Sequence, residues 1–485
     1  MLTRPFSCVA VANRGEAAVR FIRAARSWSR ERGVELPVIA LYTHADAGAP
    51  FVRLASKSIC LGDAMVRGED GKLRSAYLDV ERIVTLAREA GADALWPGWG
   101  FASERPELQE ACEAHGLVFL GPPASAMRAL GDKIAAKRLA EQAGVPVSPW
   151  SRESVDEAGA VACAARIGYP VLLKATAGGG GRGIRRVDNP DELVSAYRSA
   201  AAEAGAAFGD PSIFVEAFVA EARHVEVQVL ADSHGGVWAL GTRDCSMQRR
   251  QQKVLEEAPA PGLSEEVERA LCEAGANLAR ISGYVSAGTA EFLLLPDLKT
   301  FYFLEMNTRL QVEHTVTEEI FGLDLVGLQI DVGRGDRLPA EHPPAPRGAA
   351  IEARLNAEDP DQGFAPRAGR LLHFEAPLGP GVRVDTGYVQ DSVVPTVFDS
   401  MLAKVIAFGA TRQAALARLE TALRDTAIVL ESGLTNRSLL LELVSETMFR
   451  EAPVTTRWLD KHVASRPGSD SRRHLEAALA AAVLE

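Results

Sequence analysis

The chain opens with a short apolar run, residues 7–12, which predicts a strand. Asn13-Arg14-Gly15-Glu16 predicts a turn. Residues 17–28 then place Ala, Val, Phe and Ile on one side at helical spacing. A second strand is predicted at 37–42, a helix at 78–90 and a strand at 94–96. Another helix–strand pair ends at Val118-Phe119-Leu120-Gly121. This alternation implies a parallel sheet with helices on its faces. G-x-G-x-x-G does not follow the first strand, which argues against a dinucleotide site. Residues 96–104 form a Gly/Pro-containing loop at the carboxyl end of a strand, where open α/β sheets hold ligands. An ordinary tight connection fits that loop equally well.

Gly121-Pro122-Pro123 interrupts this pattern. Helices are predicted at 125–130 and 135–143, with Gly131-Asp132-Lys133 between them. A strand at 170–175 carries Lys174 near its end and runs into a loop with four consecutive glycines, 178–181. Such backbone can close over phosphates beside a lysine, although G-x-x-x-x-G-K-[ST] is absent. Strands at 212–216 and 224–230 follow, and residues 146–218 suggest a small lid. Residues 243–253, with Arg243, Arg249, Arg250 and Lys253, are expected to form a cationic loop.

Apolar strands at 289–295 and 300–305 are joined by Pro296-Asp297-Leu298-Lys299, a hairpin that places Glu291 across from Glu305. Asn307 lies two residues past Glu305, on the same face. Two neighbouring carboxylates and an amide suit a divalent cation. Arg309 and Gln311 continue that edge with groups fitted to an anion, and Glu313 adds a further carboxylate. Residues 343–346 are a linker candidate, and 349–356 a strand with Glu352 and Arg354 on one face. Short strands between 369 and 406, then helices at 412–430 and 436–446, predict an α+β unit. Residues 471–485 read as an Ala/Leu-rich helix without a C-cap, as in a longer chain that was cut or a tail docking on a partner.

The chain has 485 residues, room for about two to four domains. Its 47% hydrophobic and 24% charged content is ordinary for a globular protein. A net charge of −11 gives no general case for nucleic acid or an anionic membrane. The cysteines Cys8, Cys60, Cys112, Cys163, Cys245 and Cys272 include no Cys-x-x-Cys pair, so buried thiols in a reducing compartment are expected. No secretory h-region and no 18-residue apolar run is present, which makes a cytoplasmic location the expectation.

Asn13–Glu16, 131–133, the Lys174 glycine loop, Arg223-His224-Val225-Glu226, 243–261 and 305–314 together resemble biotin carboxylase, the ATP-grasp subunit or domain of biotin-dependent carboxylases. The resemblance covers about residues 5–450. It implies an α/β and α+β fold: a Rossmann-like N-terminal domain (1–120), an ATP-grasp domain (121–335, lid about 146–218), a C-terminal domain (346–453) and a tail or linker (454–485). It implies ATP-dependent carboxylation of biotin by bicarbonate. ATP contacts would come from Lys133, Lys174, Gly180, Gly181, Glu216, Ala217, Val219, His224, Gln248, Gln251, Glu291 and Glu305. Glu291, Glu305 and Asn307 would carry two Mg²⁺, with Mn²⁺ able to substitute. Lys253, Arg309, Gln311 and the Val312 amide would hold bicarbonate, Glu313 would be the base, and Arg354 would stabilise the biotin enolate. The implied partners are a biotin carboxyl carrier protein or domain and a carboxyltransferase, in a homodimer or larger complex.

Several positions depart from the family pattern. Ala217 stands for a lysine, Gln251 for a histidine or asparagine, Ala177 for a glycine, and Trp96 and Trp99 for His and Tyr. None is assigned to catalysis. Two other readings remain open from the residues: an ATP-grasp ligase of the carbamoyl-phosphate type, and a nucleotide-binding module that has lost catalysis. No Ala-Met-Lys-Met biotin acceptor occurs in the chain. Acyl-CoA and pyruvate carboxylases share the module, so the final acceptor is not legible.

Overall fold

Val9–Val11 pairs in parallel with Val38–Tyr42 on one side and Ala94–Trp96 on the other. Lys57–Cys60 and Val118–Phe119 complete a five-stranded parallel sheet. The computed structural model describes residues 4–68, 71–176, 183–431 and 433–465. The central strands are buried apolar runs, as a sheet covered on both faces requires. The first helix, Gly15–Arg32, starts inside the expected turn and runs past Trp28 to a left-handed cap at Gly33. Lys57–Cys60 was not foreseen, because this edge strand is only half-buried and lacks an apolar run. Trp96 and Trp99 are both buried, and Trp96 stacks on Phe21 with centroids 4.7 Å apart. Asn13 Nδ2 donates to the carbonyls of Pro97 and Trp99, each at 2.8 Å, which pins the loop after this strand. Gly98 sits there at φ +65°, and a Cβ would lie 2.8 Å from Asn13 Nδ2.

A second sheet has eight strands, each antiparallel to its neighbour. Its order is Phe301–Asn307, Ser286–Leu294, Arg223–Ala231, Val237–Arg249, Gln252–Ala258, Ala349–Asn356, Met401–Gly409, Val382–Thr386. The expected cationic loop at 243–253 is therefore a strand–turn–strand. Only Arg250 and Gln251 form the turn, both at positive φ. Polarity misled there, since Arg243 lies wholly buried inside the sheet. The sheet also runs unbroken from the 223–307 strands into the 349–409 strands.

Ile213–Ala217, Val171–Ala175 and Ile184–Val187 form a separate three-stranded antiparallel sheet. Helices Glu157–Ile167 and Pro190–Phe208 bury Cys163, Ala164, Leu193 and Ala200 against it. Asp132 ends Ala124–Gly131 and N-caps Lys133–Gln142, accepting from the Ala135 amide. The expected helix at 412–430 stops at Asp425, and Ala427–Leu430 pairs as a strand with Gly369–Glu375. The β-branched Ile428 and Val429 favour the strand, so this segment prolongs the apolar pattern without prolonging the helix. The six cysteines are free thiols. Among the described residues no helix is long and apolar enough to cross a membrane. The expected helix at 471–485 lies outside the described residues.

Candidate active site

The register of the large sheet places Arg243 opposite Glu226, Glu226 opposite Glu291, and Glu291 opposite Glu305. Directly opposed residues share a face, so four charged side chains stand in one row. Gln228, Thr289 and Asn307 form the next row. The expected Glu291–Glu305 juxtaposition is present.

Buried carboxylates this close repel unless cations intervene. Arg243 donates to Glu226 at 2.5 Å, Gln228 at 2.7 Å, Thr317 at 2.9 Å, and Thr289 and Gln311 at 3.1 Å each. Lys253 Nζ donates to Glu226 at 2.7 Å, to Glu291 at 3.2 Å, and to Glu313. Burial alone would push the Glu226 and Glu291 carboxyls up, yet the Lys253 charge holds both well below the usual range. His224 Nε2 lies 3.3 Å from Glu291 and 3.5 Å from Glu226. Burial would lower its pKa, but the Glu291 charge outweighs that and raises it to about 9.

Beyond Asn307 the chain leaves the sheet and crosses this row before helix His314–Phe321 begins. Asn307 Nδ2 donates to Glu291 at 2.9 Å, and Gln311 Nε2 donates to the same oxygen at 2.7 Å. Arg309 donates to Asn307 Oδ1 at 3.2 Å and to Glu104 at 3.1 Å. Glu313 is buried, with Lys253 on one oxygen and Arg354 at 2.9 Å on the other. Burial would raise its pKa, but Lys253 above all keeps it at about 2. The Val312 carbonyl accepts from Lys404 at 2.9 Å.

Glu305 opens onto the cleft and has no hydrogen-bond or ion-pair partner among the described residues. Its carboxyl titrates above the usual range, through enclosure first and then the charges of Glu291 and Glu104. A partnerless carboxylate beside Glu291 and an amide oxygen is the donor set a hard divalent cation takes. The tighter groups His224/Glu226/Glu291 and Glu226/Cys245/Glu313 are instead balanced by Lys253 from within the protein.

On the other side of the cleft, Lys174 Nζ lies 2.7 Å from Glu216 and Lys137 Nζ 2.8 Å from it. The Glu216 side chain is thus engaged with lysines, while Ala217 and Val219 are half-buried beyond it. Burial and then the Lys174 charge lower the Lys133 pKa, so these ammoniums repel until an anion joins them. Gln248 is buried, with its Nε2 3.3 Å from His224 Nδ1. Gln251 is exposed at the hairpin turn. Gly180, Gly181 and Ala177 lie outside the described residues.

Sequence reasoning assigned no role to Glu226, Arg243, Glu104 or Lys137. Glu226 lay within a quoted motif, and Glu104 closed the loop after strand Ala94–Trp96. No spacing could have placed Arg243 at the centre of the network.

Three family models together match most of the chain: the biotin carboxylase N-terminal domain over 5–127, the carbamoyl-phosphate synthase L chain ATP-binding domain over 132–341, and the biotin carboxylase C-terminal domain over 352–461. A biotin carboxylase from Nostoc sp. is 44% identical over 425 residues, covering 87% of this chain and 92% of that protein. The chain belongs to the biotin carboxylase family. Biotin carboxylase 2 of Bacillus subtilis is 43% identical over 460 residues, 94% of this chain and 100% of that protein. A biotin carboxylase–β,γ-ATP complex from Campylobacter jejuni superposes with a TM-score of 0.87 at 39% identity, covering 94% of this chain and 99% of that one. The biotin carboxylase domain dimer of Hydrogenobacter thermophilus 2-oxoglutarate carboxylase, solved with MgADP, ADP and bicarbonate, also gives 0.87 at 39%, over 95% and 99%. The fold is accordingly ATP-grasp, and the reaction of this biotin carboxylase family member is ATP-dependent carboxylation of biotin by bicarbonate.

Proposed function

We propose that Glu313 deprotonates bicarbonate held by Lys253, Arg309, Gln311 and the Val312 amide. The observation that carries this reading is the placement of Glu313, ionised and clamped between Lys253 and Arg354. Bicarbonate arriving at Lys253 takes up part of that cation's charge. The Glu313 carboxyl then titrates upward, toward the range of a working base.

Lys133 and Lys174 take the ATP phosphates, with Gly180 and Gly181 in the loop that closes over them. Glu216, Ala217 and Val219 line the adenine through backbone, and His224, Gln248 and Gln251 flank the nucleoside and phosphates. Glu291, Glu305 and Asn307 hold two Mg²⁺, or Mn²⁺, which offset phosphate charge. The deprotonated bicarbonate oxygen attacks the γ-phosphorus, ADP leaves, and carboxyphosphate forms; positioned cations stabilise the charge gathered there. Carboxyphosphate splits into CO₂ and phosphate, and the phosphate removes the ureido proton of biotin. Arg354 stabilises the resulting enolate, whose nitrogen attacks CO₂.

The division into 1–120, 121–335 with a lid at about 146–218, 346–453 and 454–485 accompanies this reading. So does biotin supplied on a carrier protein or domain, with a carboxyltransferase as second partner. Support comes from relatives named as components of pyruvate carboxylase and methylcrotonoyl-CoA carboxylase, and from the domain dimer above. A homodimer or larger assembly in the cytoplasm belongs to the same reading, and the net charge of −11 fits a protein that binds neither nucleic acid nor an anionic membrane. Arg309→Met tests the bicarbonate site. The KM for bicarbonate is expected to rise roughly tenfold, the scale of losing about 1.4 kcal/mol, with the KM for ATP unchanged. An unchanged bicarbonate KM contradicts the assignment.

A further inference from the structure

Lys404 lies on strand Met401–Gly409 and is wholly buried. Its Nζ donates to the Val312 carbonyl at 2.9 Å and pairs with Glu16 at 2.9 Å, 5.1 Å from the Trp99 ring centre. These partners come from three separate parts of the fold: the first helix, the loop after Ala94–Trp96, and the loop that crosses the active site. A buried ammonium requires a counter-charge, and Glu16 supplies it. Asp385, its direct cross-strand neighbour, stands 3.9 Å away and pairs with Arg383 at 2.7 Å instead. The ammonium thus spends its remaining reach on a carbonyl of the catalytic loop.

That carbonyl belongs to the peptide unit joining Val312 to Glu313. The unit is planar, so a fixed carbonyl fixes the direction in which the Glu313 backbone departs. Lys404 is also directly opposite Arg354 in the sheet. Arg354 grips the Glu313 carboxylate at 2.9 Å, while Lys404 grips the peptide just before it. Two neighbouring side chains on one sheet face thereby hold both ends of a single residue.

We infer that Lys404 is a positioning residue for bicarbonate deprotonation, acting through the Val312–Glu313 peptide. The inference rests on Glu313 being the base. A proton acceptor loses rate steeply when displaced, by up to about a hundredfold for an ångström.

The test compares Glu16→Gln with the double variant Glu16→Gln/Lys404→Met, which leaves no buried charge unpaired at this site. Bicarbonate-dependent ATP cleavage is measured with thermal stability. The double variant is expected to lose roughly ten- to a hundredfold in kcat relative to Glu16→Gln, with the KM for ATP within about twofold. Equal kcat values overturn the inference. So does a parallel loss of ATP affinity and stability, which marks a merely structural role. Lys404→Arg keeps the charge beside Glu16 but moves the donor, and covers the case in which the double variant does not fold. Near-native melting with reduced kcat supports the inference, and native kcat contradicts it. Glu313→Gln separates the two ideas: if that variant is fully active, the base assignment has failed whatever Lys404 does.

Discussion

Arg354 donates to Glu313 Oε2 at 2.9 Å and to Glu256 at 2.6 Å, so one guanidinium joins the base to a second buried carboxylate. Burial pushes the Glu256 carboxyl up to about 7, even with Arg354 beside it. The guanidinium therefore faces the cleft between one firmly ionised acid and one that is not. Arg354→Met is expected to reduce carboxylation of free biotin on the order of a hundredfold, the scale of losing one charge-stabilising donor. Bicarbonate-dependent ATP cleavage without biotin should fall less. Equal losses in the two assays would assign Arg354 to Glu313 alone and not to the enolate.

Glu305 is the acid of the row without a protein partner among the described residues, and it faces Lys133 and Lys174 across the cleft. Glu305→Gln removes a charged oxygen ligand while keeping the shape. The Mg²⁺ concentration for half-maximal ATP cleavage should rise roughly tenfold or more, about 1.4 kcal/mol of cation binding. Chelation of divalent cations should abolish turnover and leave the fold intact, read by circular dichroism.

Glu216 is held at about 2, because the Lys174 and Lys137 charges overcome the cost of its burial. Its folded value lies below the ordinary 4.5, so these pairs stabilise the protein above pH 4.5 and cease to as pH falls toward 2. Glu216→Gln strands two lysines and should cost about 3–5 kcal/mol at neutral pH. The gap between wild type and variant in urea midpoint should narrow steadily below pH 4.5. A gap independent of pH would show that the charge of Glu216 is not what stabilises.

The hairpin carrying Glu291 and Glu305 was legible because its turn residues and alternation fix register within one short segment. The parallel sheet was legible from its apolar runs. Arg243 was not, because periodicity assigns polar residues to solvent, and here a polar face is buried as an ion network. Ala427–Leu430 was misjudged because no Gly or Pro marks the end of the helix at Asp425. Glu104 and Lys137 meet Arg309 and Glu216, which lie 205 and 79 positions away. Lys404 meets Glu16 from the far end of the chain. Spacing along the sequence carries no trace of such contacts.

Lys253, Arg354 and Lys404 all converge on Glu313 or the peptide before it, and Glu313→Gln tests the account most directly. Transfer of labelled bicarbonate to free biotin would be measured beside binding of ATP. Carboxylation should fall by about 10²- to 10⁴-fold, the range for losing a general base, while ATP binds as in the wild type. Equal carboxylation by both proteins would contradict Glu313 as the base.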